Sequence, residues 1–191
     1  MRTWLITLTL AALSAGGGYA QDAVRGGGDP EAGRKTAMVC RTCHGANGVA
    51  TMPVAPNIGG ESAAYLARQL DAFRTGAREN EMMTVVAREL TDQQVADVAA
   101  YYARFHASGE APPGKAAPAA CVQCHGADGI AVIEDAPNLA GETAMYIDTQ
   151  LKAFRSGKRT SEVMAPIAAA LDDAAIRDAA DYFAATRLMV R

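Results

Sequence analysis

The chain has 191 residues, half of them hydrophobic, with 18 basic and 21 acidic side chains. That balance suits one or two folded domains and excludes a disordered chain. The mild, mixed charge with no basic stripe excludes nucleic acid as a partner.

Taken in chain order, the first element is N-terminal. Arg2 precedes an apolar run, Trp4 to Ala15, too short to span a bilayer comfortably, and Gly18-Tyr19-Ala20 offers the small residues a signal peptidase reads. Residues 1–20 are expected to be a cleaved signal peptide, and no cysteine sits at the cut to make a lipoprotein. Loss of Arg2 leaves 17 basic and 21 acidic residues, a net charge of −4. The mature chain is expected in the periplasm, with at most peripheral membrane association.

A short helix is predicted from Pro30 into Cys40, and a second from Ser62 to Thr75, with Leu66, Leu70 and Phe73 on one face and Gly76 as its stop. A third begins at Thr91, where Thr91 and Gln94 form a capping-box pattern, and Val95, Val98, Tyr102 and Phe105 follow at helical spacing. The segment from Ala107 to Gly114, rich in proline and glycine, breaks any helix. Beyond it, helices are predicted over Thr143–Ser156, stopped by Gly157, and over Asp173–Thr186. No alternating strand pattern of useful length is found.

The later elements repeat the earlier ones at a constant offset of 81 residues. Cys40, Cys43 and His44 align with Cys121, Cys124 and His125; Pro56-Asn57 with Pro137-Asn138; Gly60-Glu61 with Gly141-Glu142; Tyr101 with Tyr182. About half the positions from Cys40 to Ala103 are identical, without insertion. A period this long is a whole small domain written twice, not a solenoid unit. The expected division is 21–108 and 109–191. Domains of this size have limited cores and often rely on a cofactor or staple.

Four cysteines in an exported chain would ordinarily read as disulfides. Their spacing reads otherwise. Cys40-Arg41-Thr42-Cys43-His44 and Cys121-Val122-Gln123-Cys124-His125 are both C-x-x-C-H, the attachment signature of haem c. Two cysteines three positions apart can each add to one haem vinyl group, and the next residue presents an imidazole to the iron. A zinc site would want its C-x-x-C pairs far closer together, and a thioredoxin-type pair would want a βαβ context. Two covalently attached haem c groups are therefore expected.

The sixth iron ligand must come from elsewhere. His106 has no histidine counterpart, because Arg187 occupies the matching position, and it reads as a solvated side chain. Met83 and Met164 each follow their histidine by 39 positions, so the duplicated methionine is the expected axial ligand. Met82 is the poorer candidate, since Val163 matches it. A thioether raises the reduction potential and, with imidazole opposite, closes the iron to substrate. That is the chemistry of an electron carrier and not of an enzyme.

The C-x-x-C-H-G-A-x-G start, the P-N-[IL]-x-G-E-x-x-x-Y-x-x-x-Q-L-x-A-F-R-x-G-x-R middle and the methionine loop before the last helix resemble the cytochrome c4 family of periplasmic di-haem cytochromes. The resemblance covers nearly all of the mature chain. It implies an all-α fold of two tandem cytochrome c-like domains, related by a pseudo-two-fold axis with the haem edges facing each other. It implies that the carbonyls of Pro56 and Pro137 accept hydrogen bonds from the proximal histidines. Gly33 and Gly114 should let the first helix of each half pass close to Tyr101 and Tyr182. Tyr65 and Phe73, with their copies, should pack the haem pockets. Arg74 and Arg155 should either pair with haem propionates or lie on a solvated helix face.

One departure stands out. The second copy reads Met164-Ala165-Pro166, whereas the first reads Met83-Thr84-Val85 and lacks the proline. The first iron–sulfur bond is expected to be the more labile. The leading functional expectation is a respiratory shuttle taking electrons from a quinol-oxidising complex or dehydrogenase and passing them to a terminal oxidase or reductase. The alternative is the di-haem cytochrome subunit of a flavoprotein sulfide dehydrogenase. A di-haem peroxidase is disfavoured because both methionines would fill the site that peroxide needs.

Overall fold

The computed structural model describes residues 27–191, so the predicted signal peptide lies outside the described residues. The first half contains helices α1 (Pro30–Thr36), α2 (Arg41–His44), α3 (Ala63–Thr75), α4 (Glu81–Arg88) and α5 (Asp92–Ala103). A strand, β1 (Ala107–Glu110), leads into α6 (Ala119–His125), α7 (Ala144–Arg155), α8 (Met164–Ala169), α9 (Asp173–Ala185) and a last strand, β2 (Arg187–Val190). No helix among the described residues is long and apolar enough to cross a membrane.

Local chemistry sets the main helix ends. Ser62 accepts from the Tyr65 amide to start α3, and Gly76 ends it in the left-handed region at φ +80°. Thr91 and Gln94 form the reciprocal capping box of α5. Thr143 and Asp172 start α7 and α9 by accepting the Tyr146 and Ala175 amides, without a reciprocal partner. Each half then closes its own core. Leu66, Val95, Val98 and Tyr102 are buried in the first, and Ile147, Leu151, Ile176 and Phe183 in the second. Ala87 and Ala168, at matching positions, are wholly buried, which lets the short methionine-bearing helices approach closely.

The structure departs from the sequence reading in four places. First, α1 has no counterpart in the second half. Gly33 lies so close to α5 that an added Cβ would fall 1.9 Å from the Asp97 carbonyl oxygen, whereas Gly114 (φ +72°) has nothing within 4 Å. Gly114 therefore sits in an open turn and brings no helix against Tyr182. Pro112, Pro113 and Pro118 explain this, because the segment lacks the amides a helix needs beyond its first turn.

Second, the methionine loops are helical: Met83 lies in the first turn of α4, and Met164 begins α8. The two helices end at matching residues, Arg88 and Ala169, but α4 starts two positions earlier relative to the repeat. Val85 has an amide that can donate back to the Glu81 carbonyl. Pro166 at the matching position has none and is tolerated only within the first turn.

Third, the linker is a strand. β1 pairs antiparallel with β2, with Ala107 opposite Val190 and Ser108 opposite Met189. Ser108 and Met189 are 81 residues apart, so a segment pairs with its own copy. A bridge between Arg78 and Arg159, also 81 apart, repeats the relation. The pseudo-two-fold axis passes through both contacts. Fourth, Arg74 is half-buried and not on a solvated face, whereas Arg155 is exposed, as that reading expects, and both make local bonds. Arg74 bonds the Leu90 carbonyl, Asp71 and Asp92, and Arg155 bonds the Leu171 carbonyl and Asp173. Each ties its helix to the start of the last helix of its half.

Candidate haem sites and the interface between them

Each C-x-x-C-H stretch is helical at its histidine. Cys40 is the residue before α2, and Cys121, Cys124 and His125 lie within α6. A spacing of three puts each cysteine pair on one helix face. No disulfide joins the four cysteines, and all are partly buried. Burial pushes the Cys40 thiol up to about 11 and also raises Cys121, whereas an exchange-active dithiol needs its thiolate stabilised. Among the described residues, no three His, Cys, Asp or Glu side chains converge as a metal-binding set, so the pairs are not halves of a zinc site.

His44 and His125 are buried, and each Nδ1 lies 2.8 Å from a carbonyl oxygen, of Pro56 and of Pro137. A carbonyl only accepts, so Nδ1 carries the proton and Nε2 keeps its lone pair for a metal. Burial lowers both histidine pKa values, outweighing the opposing pull of the proline carbonyls, and favours the neutral imidazole that ligation requires.

The loop after each histidine is locked in the same way in both halves. Gly45 and Gly126 adopt positive φ, where an added Cβ would lie 2.1 Å from the Val49 and 2.2 Å from the Ile130 carbonyl oxygen. Tyr101 donates to the Ala46 carbonyl at 2.8 Å, and Tyr182 to that of Ala127 at 2.6 Å. The amides of Thr51 and Val132 reach back to the carbonyls of Cys43 and Cys124. The donor set and its fixed loops fit a haem held by two thioethers.

The candidate sixth ligands are placed unevenly. Met83 and Met164 are both half-buried, but Met164 packs against the second core, while Met83 is not among the residues packed on the first. Met82 is 67% exposed. His106 is exposed, as expected, though its backbone pairs with Arg191 at the edge of the sheet.

The interface holds functional groups that the sequence reading passed over. Glu142 accepts the Asn57 amide at 2.8 Å, and Glu61 accepts that of Asn138 at 2.9 Å. The Asn57 and Asn138 side chains donate back to the carbonyls of Gly141 and Gly60. Arg78 reaches Gln150 and Tyr146, and Arg159 reaches Gln69 and Tyr65. Each arginine also stacks on the phenylalanine of its own half, Phe73 at 4.5 Å and Phe154 at 4.4 Å. Burial pushes the Glu61 carboxyl up to about 8 and raises Glu142 well above the usual range. One oxygen of Glu142 has no partner. An identical acid in both copies of one motif was the available signal.

Known proteins resemble this chain over most of its length. The family model described as "Cytochrome c" matches residues 30–103, and that described as "Cytochrome C oxidase, cbb3-type, subunit III" matches residues 113–183. Cytochrome c4 of Pseudomonas aeruginosa is 35% identical over 175 residues, 81% of this chain and 87% of the relative. A thiosulfate dehydrogenase electron acceptor of Stutzerimonas stutzeri is 35% identical over 182 residues, 84% of this chain and 82% of the relative. The crystal structure of reduced recombinant cytochrome c4 from Pseudomonas stutzeri superposes with a TM-score of 0.72 at 31% identity, covering 83% of this chain and 98% of that one. With two C-x-x-C-H cradles for covalently bound haem c and homology along both halves, the chain belongs to the cytochrome c4 family of di-haem electron-transfer proteins.

Proposed function

We propose that the chain is a periplasmic electron shuttle whose irons are ligated by His44 and Met83 in one half and by His125 and Met164 in the other. Cys40 and Cys43 hold the first haem, and Cys121 and Cys124 the second. The haem supplies one-electron chemistry when bound; the protein fixes the imidazoles, shields the groups and joins the two sites. The observation that carries this reading is the duplicated imidazole geometry. Two buried histidines, each with Nδ1 held at 2.8 Å by a proline carbonyl, leave Nε2 for iron, and one methionine follows each at the same distance in sequence.

The donor we propose is a periplasmic dehydrogenase, and specifically one that oxidises thiosulfate, since the Stutzerimonas relative is named a thiosulfate dehydrogenase electron acceptor. A quinol-oxidising complex is the competing donor; a terminal oxidase or reductase is the acceptor. Stopped-flow reduction of the oxidised protein by each purified donor separates them: rapid reduction by the thiosulfate enzyme supports the reading, and reduction only by the quinol enzyme overturns it.

A spectroscopic redox titration tests the ligand set. Two haems per chain and an iron–methionine absorption band are expected. Loss of half of that band in each of Met83→Ala and Met164→Ala assigns the ligands; retention of the full band in either removes that methionine.

A further inference from the structure

The interface carboxylates touch more than the interface. The Asn57 amide that donates to Glu142 belongs to the same peptide group as the Pro56 carbonyl, which accepts from His44. One planar unit therefore links an imidazole of the N-terminal half to a carboxyl of the C-terminal half, with 2.8 Å on each side. The mirror path runs from His125 through the Pro137–Asn138 peptide to Glu61. Both carboxyls are nearly inaccessible, at 3% exposure for Glu142 and 4% for Glu61, so water does not substitute for them.

We infer that Glu142 and Glu61 set the reduction potential of the haem in the half to which they do not belong. The inference rests on the histidine ligation proposed above. Hydrogen bonds in series polarise one another. A carboxyl oxygen accepting the Asn57 amide draws that amide's hydrogen and leaves more negative charge on the Pro56 oxygen. The Nδ1–H bond of His44 then strengthens, Nε2 becomes the better electron donor, and the ferric state gains relative to the ferrous one. Glu142 is a positioning residue for iron it never touches. The cross-over separates this role from a structural one: a contact that merely supports packing would disturb its own half or both halves alike.

The test is a redox titration of holoprotein variants, with the two haems told apart by their hyperfine-shifted NMR resonances. Glu142→Leu removes the acceptor. It should shift the N-terminal haem three- to tenfold toward reduced at fixed ambient potential, at most about 59 mV for one electron. The C-terminal haem should stay put. Glu142→Gln keeps an acceptor and should recover most of the shift, and Glu61→Leu should produce the mirror result. If the leucine variants fail to mature, Glu142→Asp lengthens the same bond and should move the same haem less far. In the wild type, the iron–methionine band reports the ligand set independently. With that band present, a silent opposite haem, or equal shifts in both, overturns this inference alone.

Discussion

The two halves share their histidine loops and the carboxyl–amide and arginine contacts they make with each other, and differ most in what covers the outside. The N-terminal half has α1 packed into the face of α5 through Gly33. Asp97 is buried there, accepting the Asp29 amide and the Gln93 side chain. In the C-terminal half, the matching residues 111–117, which include Pro112 and Pro113, form no helix, and Gly114 sits in an open turn. Asp178, the match of Asp97, is exposed. The methionine-bearing helices differ as well, eight residues against six. The ion pair of Arg68 with Asp135 has no counterpart, because Thr149 and Val54 occupy the matching positions. The comparison teaches that a duplicated domain keeps its histidine loop and its self-complementary interface, whereas a covering helix can be lost when another segment, here the Ala117 stretch, packs on the core.

The largest expected effect tests what the halves share. Glu61 and Glu142 hold protons when folded that they release near pH 4.5 when unfolded, because burial raises both. Between pH 4.5 and about 8 the folded protein binds more protons than the unfolded one, so this contribution to stability falls as pH rises. The Glu61→Gln, Glu142→Gln double variant, which cannot ionise there, should gain on the wild type by roughly 4 kcal/mol or more from pH 5 to pH 8. Guanidinium unfolding at the two pH values measures it; parallel losses in both proteins would show that the interface carboxyls titrate normally.

Next comes what the halves do not share. Gly33→Ala must force α1 off the Asp97 carbonyl and should cost about 3 kcal/mol. Gly114→Ala meets no atoms and carries only the penalty of positive φ, about 1 kcal/mol. Equal losses in thermal unfolding would mean that the second half has a packed helix after all. Asp97→Ala strips the Asp29 amide and Gln93 of an acceptor and should cost about 1–2 kcal/mol, against less than about 0.5 for the exposed Asp178→Ala.

How far the sequence reached follows from the same division. The start and stop of α3 and the start of α5 were legible because caps are local: Ser62, Gly76 and the Thr91–Gln94 box act within one turn. The haem cradles were legible because C-x-x-C-H encodes its geometry in five residues. The strands were not, because β1 and β2 pair only across the duplicated interface, and four residues such as Ala107–Glu110 carry no alternation to betray it. Gly114 was misjudged because aligning the repeats transferred a role whose helix the neighbouring prolines remove. The length difference between α4 and α8 was implicit in Val85 and Pro166, but its consequence needed the observed helix starts.

That difference yields the subtlest prediction. Met164 is braced twice: it packs against the second core, and Pro166 fixes the backbone two residues on. Met83 has neither support; its helix is held at the start by Asn80, which accepts the Met82 and Met83 amides, and Val85 beside it is 64% exposed. On the ligand set proposed above, detaching a thioether from iron would require the methionine segment to swing outward, and the N-terminal segment has less to give up. Imidazole or carbon monoxide should therefore displace the ligand at the N-terminal haem about tenfold more readily, a difference of about 1.4 kcal/mol. Titration followed by haem-resolved NMR reads the two affinities separately. Asn80→Ala should widen the gap, because it loosens only the first segment. Ser161→Ala should narrow it, because the Ser161 hydroxyl accepts the Met164 amide. Equal affinities in the wild type would mean that the strength of the iron–sulfur bond is set by the haem and not by the brace.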